Sequence, residues 1–282
     1  MITLRERRRR ATNVVMLTLT GVAALLTVVP LVLIFAHLLS AGLSALEPGF
    51  LVRLPAPVGE TGGGIGNGLL GTALLVLVAA LFALPLGIGA GVYLAEAGRS
   101  RMATLVRFTA DVMNGIPSIV IGIFVWAAVV VRMGHFSLIA GAIALAILLL
   151  PMVTRTTEEM IRLVPKELKE GALALGFTRW RATLGVVLPA ARGGIVTGVL
   201  VALARIAGET APLLFTAFGT PYWGWKLGEP VAALPLQIFQ YAISPYEEWH
   251  RQAWAGSLVL VALVLVLSLG ARLLVRSPYR NR

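Results

Sequence analysis

Lys166–Pro189 reads KELKEGALALGFTRWRATLGVVLP. The stretch is polar and helical in pattern, and it lies between long apolar runs in a chain that otherwise avoids charge. Pro165 suits the first turn of a helix, where its missing N–H costs little. Leu168, Ala172 and Leu175 follow at i, i+4 and i+7 and define one apolar face. Lys166, Glu167, Lys169 and Glu170 mostly cover the other. Gly176 is placed to end this helix in a left-handed cap, and Thr178 to cap a second short helix toward Pro189. Pattern alone leaves two readings open, an amphipathic helix resting on lipid and a docking helix seated in a protein groove. The apolar face is narrow and built of small residues, which favours the groove.

The surrounding chain is a membrane protein by composition. Of 282 residues 58% are hydrophobic and 13% charged, with a mean hydropathy of +0.87, where soluble domains carry about 25% charged residues. The chain has no cysteine, so disulfides and thiolate metal sites are excluded. His37, His135 and His250 have no metal-ligand spacing and read as surface residues. The net charge of +11 sits at the ends of apolar runs. It therefore reports membrane orientation, and no nucleic-acid partner is expected.

The fold class expected is an all-α integral membrane protein with six transmembrane helices, at about 14–39, 69–94, 109–131, 138–153, 193–218 and 253–275. Residues 1–13 form a basic N-terminus, 14–65 the first span and an outside loop, 66–275 the core, and 276–282 a tail. The polar loop occupies 158–192. The first apolar run is far longer than the roughly 7–15 residues of a signal peptide and reads as an uncleaved span. Gly66-Asn67-Gly68-Leu69-Leu70-Gly71 fits the dinucleotide pattern GxGxxG, but it follows a loop and opens a membrane helix, so that reading is rejected. Residues 219–252 read as a second outside loop with headgroup aromatics Trp223, Trp225, Tyr241, Tyr246 and Trp249. In this scheme nineteen Lys and Arg lie on the side of the polar loop and four on the other. Both termini are therefore expected in the cytoplasm.

Arg205 is the cation placed inside a span, about 21 Å beyond Ala191 at ~1.5 Å per residue. A charge at such depth costs about 2.5–3.5 kcal/mol on insertion scales. Glu209 follows at i+4, on the same face of a continuous helix. Either the two form a structural ion pair, or Arg205 meets an anion in a pathway while Glu209 orients it or exchanges with the anion. Gly208 and Pro212 break the helix there, and a broken helix at membrane depth normally faces a cavity. An arginine fork suits an oxyanion because it bonds two oxygens at once. Asp111, the chain's one aspartate, is either an interfacial cap or part of an inner gate with Asn114, beside a kink at Pro117.

Glu170-Gly171-Ala172, three residues, Gly176, nine residues, Val186, one residue and Leu188-Pro189 together resemble the EAA loop of ABC-transporter permeases. That family reads Glu-Ala-Ala, three residues, Gly, nine residues, Ile, one residue, Leu-Pro. The chain departs from it at Gly171 and Val186. Gly171 loosens the helix by roughly 0.5–1 kcal/mol relative to Ala. The wider sequence is similar to the phosphate-specific permease subunits, the PstA family. The likeness rests on Arg205 to Thr216 (RIAGETAPLLFT), Ala233 to Phe239 (ALPLQIF), Ser244 to Trp249 (SPYEEW), Tyr93-Leu94-Ala95-Glu96 and Gly115 to Val120 (GIPSIV).

The resemblance implies a MetI-like ABC importer permease in the bacterial inner membrane, importing inorganic phosphate at the expense of ATP. Glu170, Gly171, Ala172, Gly176, Leu188 and Pro189 would form the coupling surface for an ATPase. The partners implied are a homologous permease, PstC, two copies of the ATPase PstB, and the periplasmic phosphate-binding protein PstS, besides membrane lipid. The Gly-rich stretches within the spans are expected to pack closely against the second permease. No cofactor is expected on this chain; ATP and Mg2+ belong on the partner. A P-loop needs Gly-Lys followed by Ser or Thr, and Lys166, Lys169 and Lys226 are not so followed. The chain is not expected to be an enzyme, since it lacks Gly-x-Ser-x-Gly, His-Glu-x-x-His and a second aspartate. The alternatives are an importer of another oxyanion, molybdate or sulfate, and a membrane anchor or sensor that recruits a cytosolic partner.

Overall fold

The computed structural model describes residues 4–60, 62–98 and 100–274; Arg99 and the basic tail 276–282 lie outside the described residues. Those residues form helices joined by turns and contain no strand, only one isolated bridge between Phe218 and Val231. We number the helices α1 (Leu4–Ser44), α2 (Gly66–Glu96), α3 (Arg101–Gly115), α4 (Ser118–Met133), α5 (Leu138–Arg162), α6 (Lys166–Ala174), α7 (Arg179–Ala207), α8 (Ala211–Leu214), α9 (Leu234–Ala242) and α10 (Glu247–Leu274). Five of them, α1, α2, α5, α7 and α10, are long and apolar enough to cross a membrane. The pair α3 and α4 is bent by 101° and brings the number to six if it is counted as one broken span.

The core is built on α2 and α5. Leu75, Ala79, Ala83, Gly87 and Gly91 recur every four residues along α2, and Leu145, Leu149, Val153 and Thr157 along α5; all are buried. Rows of this spacing form ridges that fit the grooves of a facing helix. The glycines let the backbones approach. A Cβ on Gly87 would lie 3.0 Å from that of Val153, and one on Gly91 2.5 Å from that of Thr157. Gly87 and Gly91 thus pack inside this chain, not against a second permease, whereas Gly89 has open space around it. Gly91→Val forces a branched side chain into Thr157. The expected cost is about 1–3 kcal/mol, read as a lower melting temperature in detergent, with Gly89→Val as the near-neutral control.

Several boundaries differ from the sequence expectation; the fifth span, expected to reach Phe218, ends at Ala207. The fourth span runs on to Arg162 instead of stopping near Val153, because Thr154, Thr157, Glu158 and Ile161 continue its buried face. The short second helix of the polar loop and the fifth span are one helix, α7, carrying a π-helical turn at Thr183–Val187. Pro189 cannot donate to the carbonyl of Gly185. The wider turn absorbs this, with Leu188 N–H bonding Thr183 O five residues back. Finally, 219–252 is only partly an outside loop. Val231–Gln237 is buried, α9 lies within it, and α10 begins at Glu247.

This segment closes the end of the bundle opposite α6. Leu234 N–H donates to Thr72 Oγ1 at 2.8 Å, and the carbonyls of Thr216, Leu227 and Glu229 accept from the first residues around α5. Irregular backbone at this level has its polar groups met by protein. Trp223 and Trp225 remain exposed, as headgroup aromatics would be, whereas Tyr241 is buried against Trp249 at 4.8 Å. The Glu229 carboxylate, 2.7 Å from Lys226 Nζ, raises the amine above its ordinary pKa.

Candidate functional site

The polar loop folds as two helical pieces around a left-handed glycine. Pro165 sits just before the first turn of α6 in extended backbone, at φ −54° and ψ 134°. Gly176 takes φ +85°. Its N–H bonds Leu173 O and that of Phe177 bonds Ala172 O, the paired bonds of a Schellman cap. Thr178 Oγ1 accepts from Arg181 N–H and opens α7. The proposed apolar face is not covered as a unit. Ala172 is buried, but Leu168 is exposed and Leu175 is 81% exposed. Leu175 lies at the C-cap, beyond the last helical turn, so the i+7 relation does not hold it on the face. Phe177 and Trp180 are exposed beside it, and Glu170 and Gly171 stand in solvent, with no ion pair to the carboxylate among the described residues. Further along α7, Leu188 is partly buried and Pro189 exposed. An exposed apolar turn of this kind, rimmed by charge, is the form of a protein-docking surface.

Arg205 and Glu209 do not form the ion pair that their spacing permits. α7 ends at Ala207, and Gly208 caps it with its N–H on Arg205 O. Glu209 therefore leaves the helical register and is not one turn above Arg205. The Arg205 guanidinium is exposed on the surface of this chain, and its described contact is with Met152 Sδ of α5 at 3.6 Å. Pro212 opens the short α8, whose backbone rests on α4. A Cβ on Gly122 would lie 2.6 Å from Pro212 Cα.

Asp111 and Asn114 lie on α3, beyond the 101° bend at Gly115–Pro117, and so not on the straight run of a third span. Asp111 pairs with Arg155 of α5 at 3.0 Å. Asn114 is exposed and is not brought to Asp111 by any described bond. Neither residue meets Arg205.

Two polar nodes escaped the sequence reading. The first is Glu158, 1% exposed, which accepts from Arg107 Nε at 2.6 Å, Arg155 Nη1 at 2.8 Å and Arg162 Nη2 at 2.7 Å. Arg107 Nη2 also donates to Leu94 O at 2.6 Å. The helical spacing of Arg155, Glu158 and Arg162 was the available signal. Glu158→Gln leaves three guanidinium groups around a neutral side chain. Breaking a buried charge cluster on one side costs about 3–5 kcal/mol, so folded yield and melting temperature are expected to fall sharply. The second node is Glu96, at the end of α2. Its carboxylate receives Lys169 Nζ of α6 at 2.5 and 2.7 Å and Thr183 Oγ1 of α7 at 2.9 Å. A groove of about 420 Å³ opens beside this node, lined in part by Arg162, Lys166, Glu170 and Arg179.

Comparison with known proteins bears on the whole chain. Residues 83–278 match the family described as binding-protein-dependent transport system inner membrane component. The chain is 45% identical to the phosphate transport system permease protein PstA of Xylella fastidiosa (strain Temecula1), over 98% of this chain and 96% of that protein. It is 44% identical to PstA of Yersinia pestis, over 94% and 90%, and 39% identical to a probable phosphate permease PstA of Methanocaldococcus jannaschii, over 90% of each. Among solved structures, a bacterial alginate ABC transporter superposes with a TM-score of 0.68 at 14% identity, over 97% of each chain. The inward-facing MetNI methionine ABC transporter superposes with a TM-score of 0.59 at 21% identity, over 76% of this chain and 93% of the other. At these identities the two structures speak to the fold alone.

Proposed function

The chain belongs to the binding-protein-dependent transport system inner-membrane components, and on that premise we propose that it forms half of the translocation pathway of an ATP-driven importer of inorganic phosphate. It is a multi-pass inner-membrane transport subunit and not an enzyme. The observation that carries the substrate is 45% identity with a phosphate permease over nearly the full length of both chains. Importers of molybdate or sulfate and a bare membrane anchor are not favoured.

Family membership implies an ATPase and a binding protein as partners. In this reading they are PstB, in two copies, and PstS, with PstC as the second permease. ATP and Mg2+ act on PstB. Its motion reaches this chain through the exposed turn around Leu175, Gly176 and Phe177 and through Glu170. The positive-inside bias supports placing that turn and both termini in the cytoplasm.

Arg205 is the anion contact of the pathway. It carries a charge in the last turn of a membrane helix with no ion pair to it among the described residues, and that supports a passing anion as its partner. Glu209, released from the helix by Gly208, is free to approach or leave it. Asp111 and Asn114 border the pathway at the α3 bend. Transport by the reconstituted assembly tests the substrate. Phosphate should be taken up in an ATP-dependent way, and excess sulfate or molybdate should not compete. Competition at equal concentration would remove phosphate specificity.

A further inference from the structure

The polar loop must do more than dock if its motion is to reach the spans, and three helices meet at one carboxylate there. Glu96 ends α2, the helix whose glycine ridge packs along α5. From one side it takes Lys169 of α6 at 2.5 and 2.7 Å, and from another the buried Thr183 hydroxyl at 2.9 Å, where the π-helical turn of α7 begins. Two residues earlier on α2, the Leu94 carbonyl takes Arg107 of α3 at 2.6 Å. Arg107 in turn holds Glu158 of α5, and Glu158 holds Arg155, which pairs with Asp111 on α3. The end of α2 is thus gripped by the docking helix on one side and by the bent helix α3 on the other.

We infer that Glu96 is the positioning residue through which a displacement of the docking helix α6 is passed to α2 and thence to α3; this rests on the reading of α6 as the ATPase's docking element. Lys169 reaches from α6 to Glu96, while Leu175 and Phe177 beyond the end of α6 stay exposed, so a partner can hold that turn while Glu96 holds the helix. A carboxylate at the C-terminal end of a helix is opposed by the helix dipole. A cation at position 96 would suit stability better, so its acidic identity answers to Lys169 and Thr183. The Lys169 and Glu96 side chains are partly exposed, at 31% and 22%, and such a pair adds little to stability. Its consequence is geometric. Without it α6 is tied to the spans through the turn at Leu163–Pro165, through the Gly176 cap and through its packing on the π-helical turn of α7.

The test uses the complete assembly, with ATPase, second permease and binding protein, in proteoliposomes. ATP hydrolysed and phosphate moved are measured together for the native chain, Glu96→Gln, Lys169→Met, Glu96→Lys and the swap Glu96→Lys with Lys169→Glu. Because the chain has no cysteine, Val112→Cys on the exposed face of α3 adds a readout independent of the solute, its rate of thiol labelling with and without ATP. Glu96→Gln should assemble and hydrolyse ATP near the native rate, while phosphate moved per ATP falls about tenfold or more, in the range of allosteric couplings. The ATP-dependent change at Val112→Cys should vanish with it, and the swap should restore both. Native ratios and a native labelling change in Glu96→Gln would overturn the inference. So would failure of the swap to rescue, or loss of assembly in both Glu96→Gln and Lys169→Met, which would make the pair structural. A native complex that hydrolyses ATP but moves no phosphate would remove the substrate reading alone, and Val112→Cys would still decide the coupling role.

Discussion

Arg205→Gln is expected to abolish phosphate uptake while the chain still inserts and still binds its ATPase. Glutamine keeps much of the side chain's length and removes the charge. Membrane insertion loses the cost of the charge and keeps only that of a polar amide, so the variant should be at least as abundant as the native chain. What it loses is a charge-assisted, two-toothed contact to an oxyanion, with hydrogen bonds to a charged group worth about 1.5–3 kcal/mol each. At 1.4 kcal/mol per factor of ten, losing two such bonds is worth about a hundredfold or more, so uptake should fall to background. Arg205→Lys keeps the charge without the planar fork and should recover only part of the rate. The native neighbour of Arg205 is a thioether, Met152 Sδ, and among the described residues no carboxylate pairs with the guanidinium. A purely structural role would therefore show itself as lost assembly. Uptake retained by Arg205→Gln would move the anion contact elsewhere.

The second large effect is expected at the docking turn. Gly176→Val and Glu170→Trp should leave the protein in the membrane and separate ATP hydrolysis from transport. Gly176 is held at φ +85°, a conformation that costs an ordinary L-residue roughly 1–2 kcal/mol and a β-branched one more. The Schellman bonds from Gly176 and Phe177 to Leu173 and Ala172 would open, and the exposed Leu175 and Phe177 would lose their relation to α6. Glu170 is exposed on α6, so Trp there has room in this chain and clashes only in a seated complex. Hydrolysis and uptake measured side by side decide the matter. Unchanged uptake in both variants would count against docking through this turn.

Much of this turn was legible in the sequence, because its signals are local. A helix after Pro165, a glycine that must go left-handed and a threonine that caps the next helix all act within a few residues. The break at Gly208 was equally local. The i+4 relation of Arg205 and Glu209 was drawn across that break, and so it failed once α7 stopped at Ala207. Glu96 with Lys169 and Arg107 with Glu158 stayed hidden for the opposite reason, since partners so distant along the chain leave no periodic trace. The buried run at Val231–Gln237 was masked by the exposed aromatics Trp223 and Trp225 before it. Gly87 and Gly91 of α2 gave the right physics, close packing, with a partner in the same chain. Sequence alone does not say whether the facing helix belongs to the same chain.

The measurement to make is labelled-phosphate uptake in cells that lack this subunit but keep its partners, with the native chain restored. ATP-dependent uptake should return with the native chain in the membrane and be absent with Arg205→Gln at equal abundance. If the native chain reaches the membrane and assembles yet phosphate uptake does not return, while labelled sulfate or molybdate is taken up, the chain is not a phosphate permease.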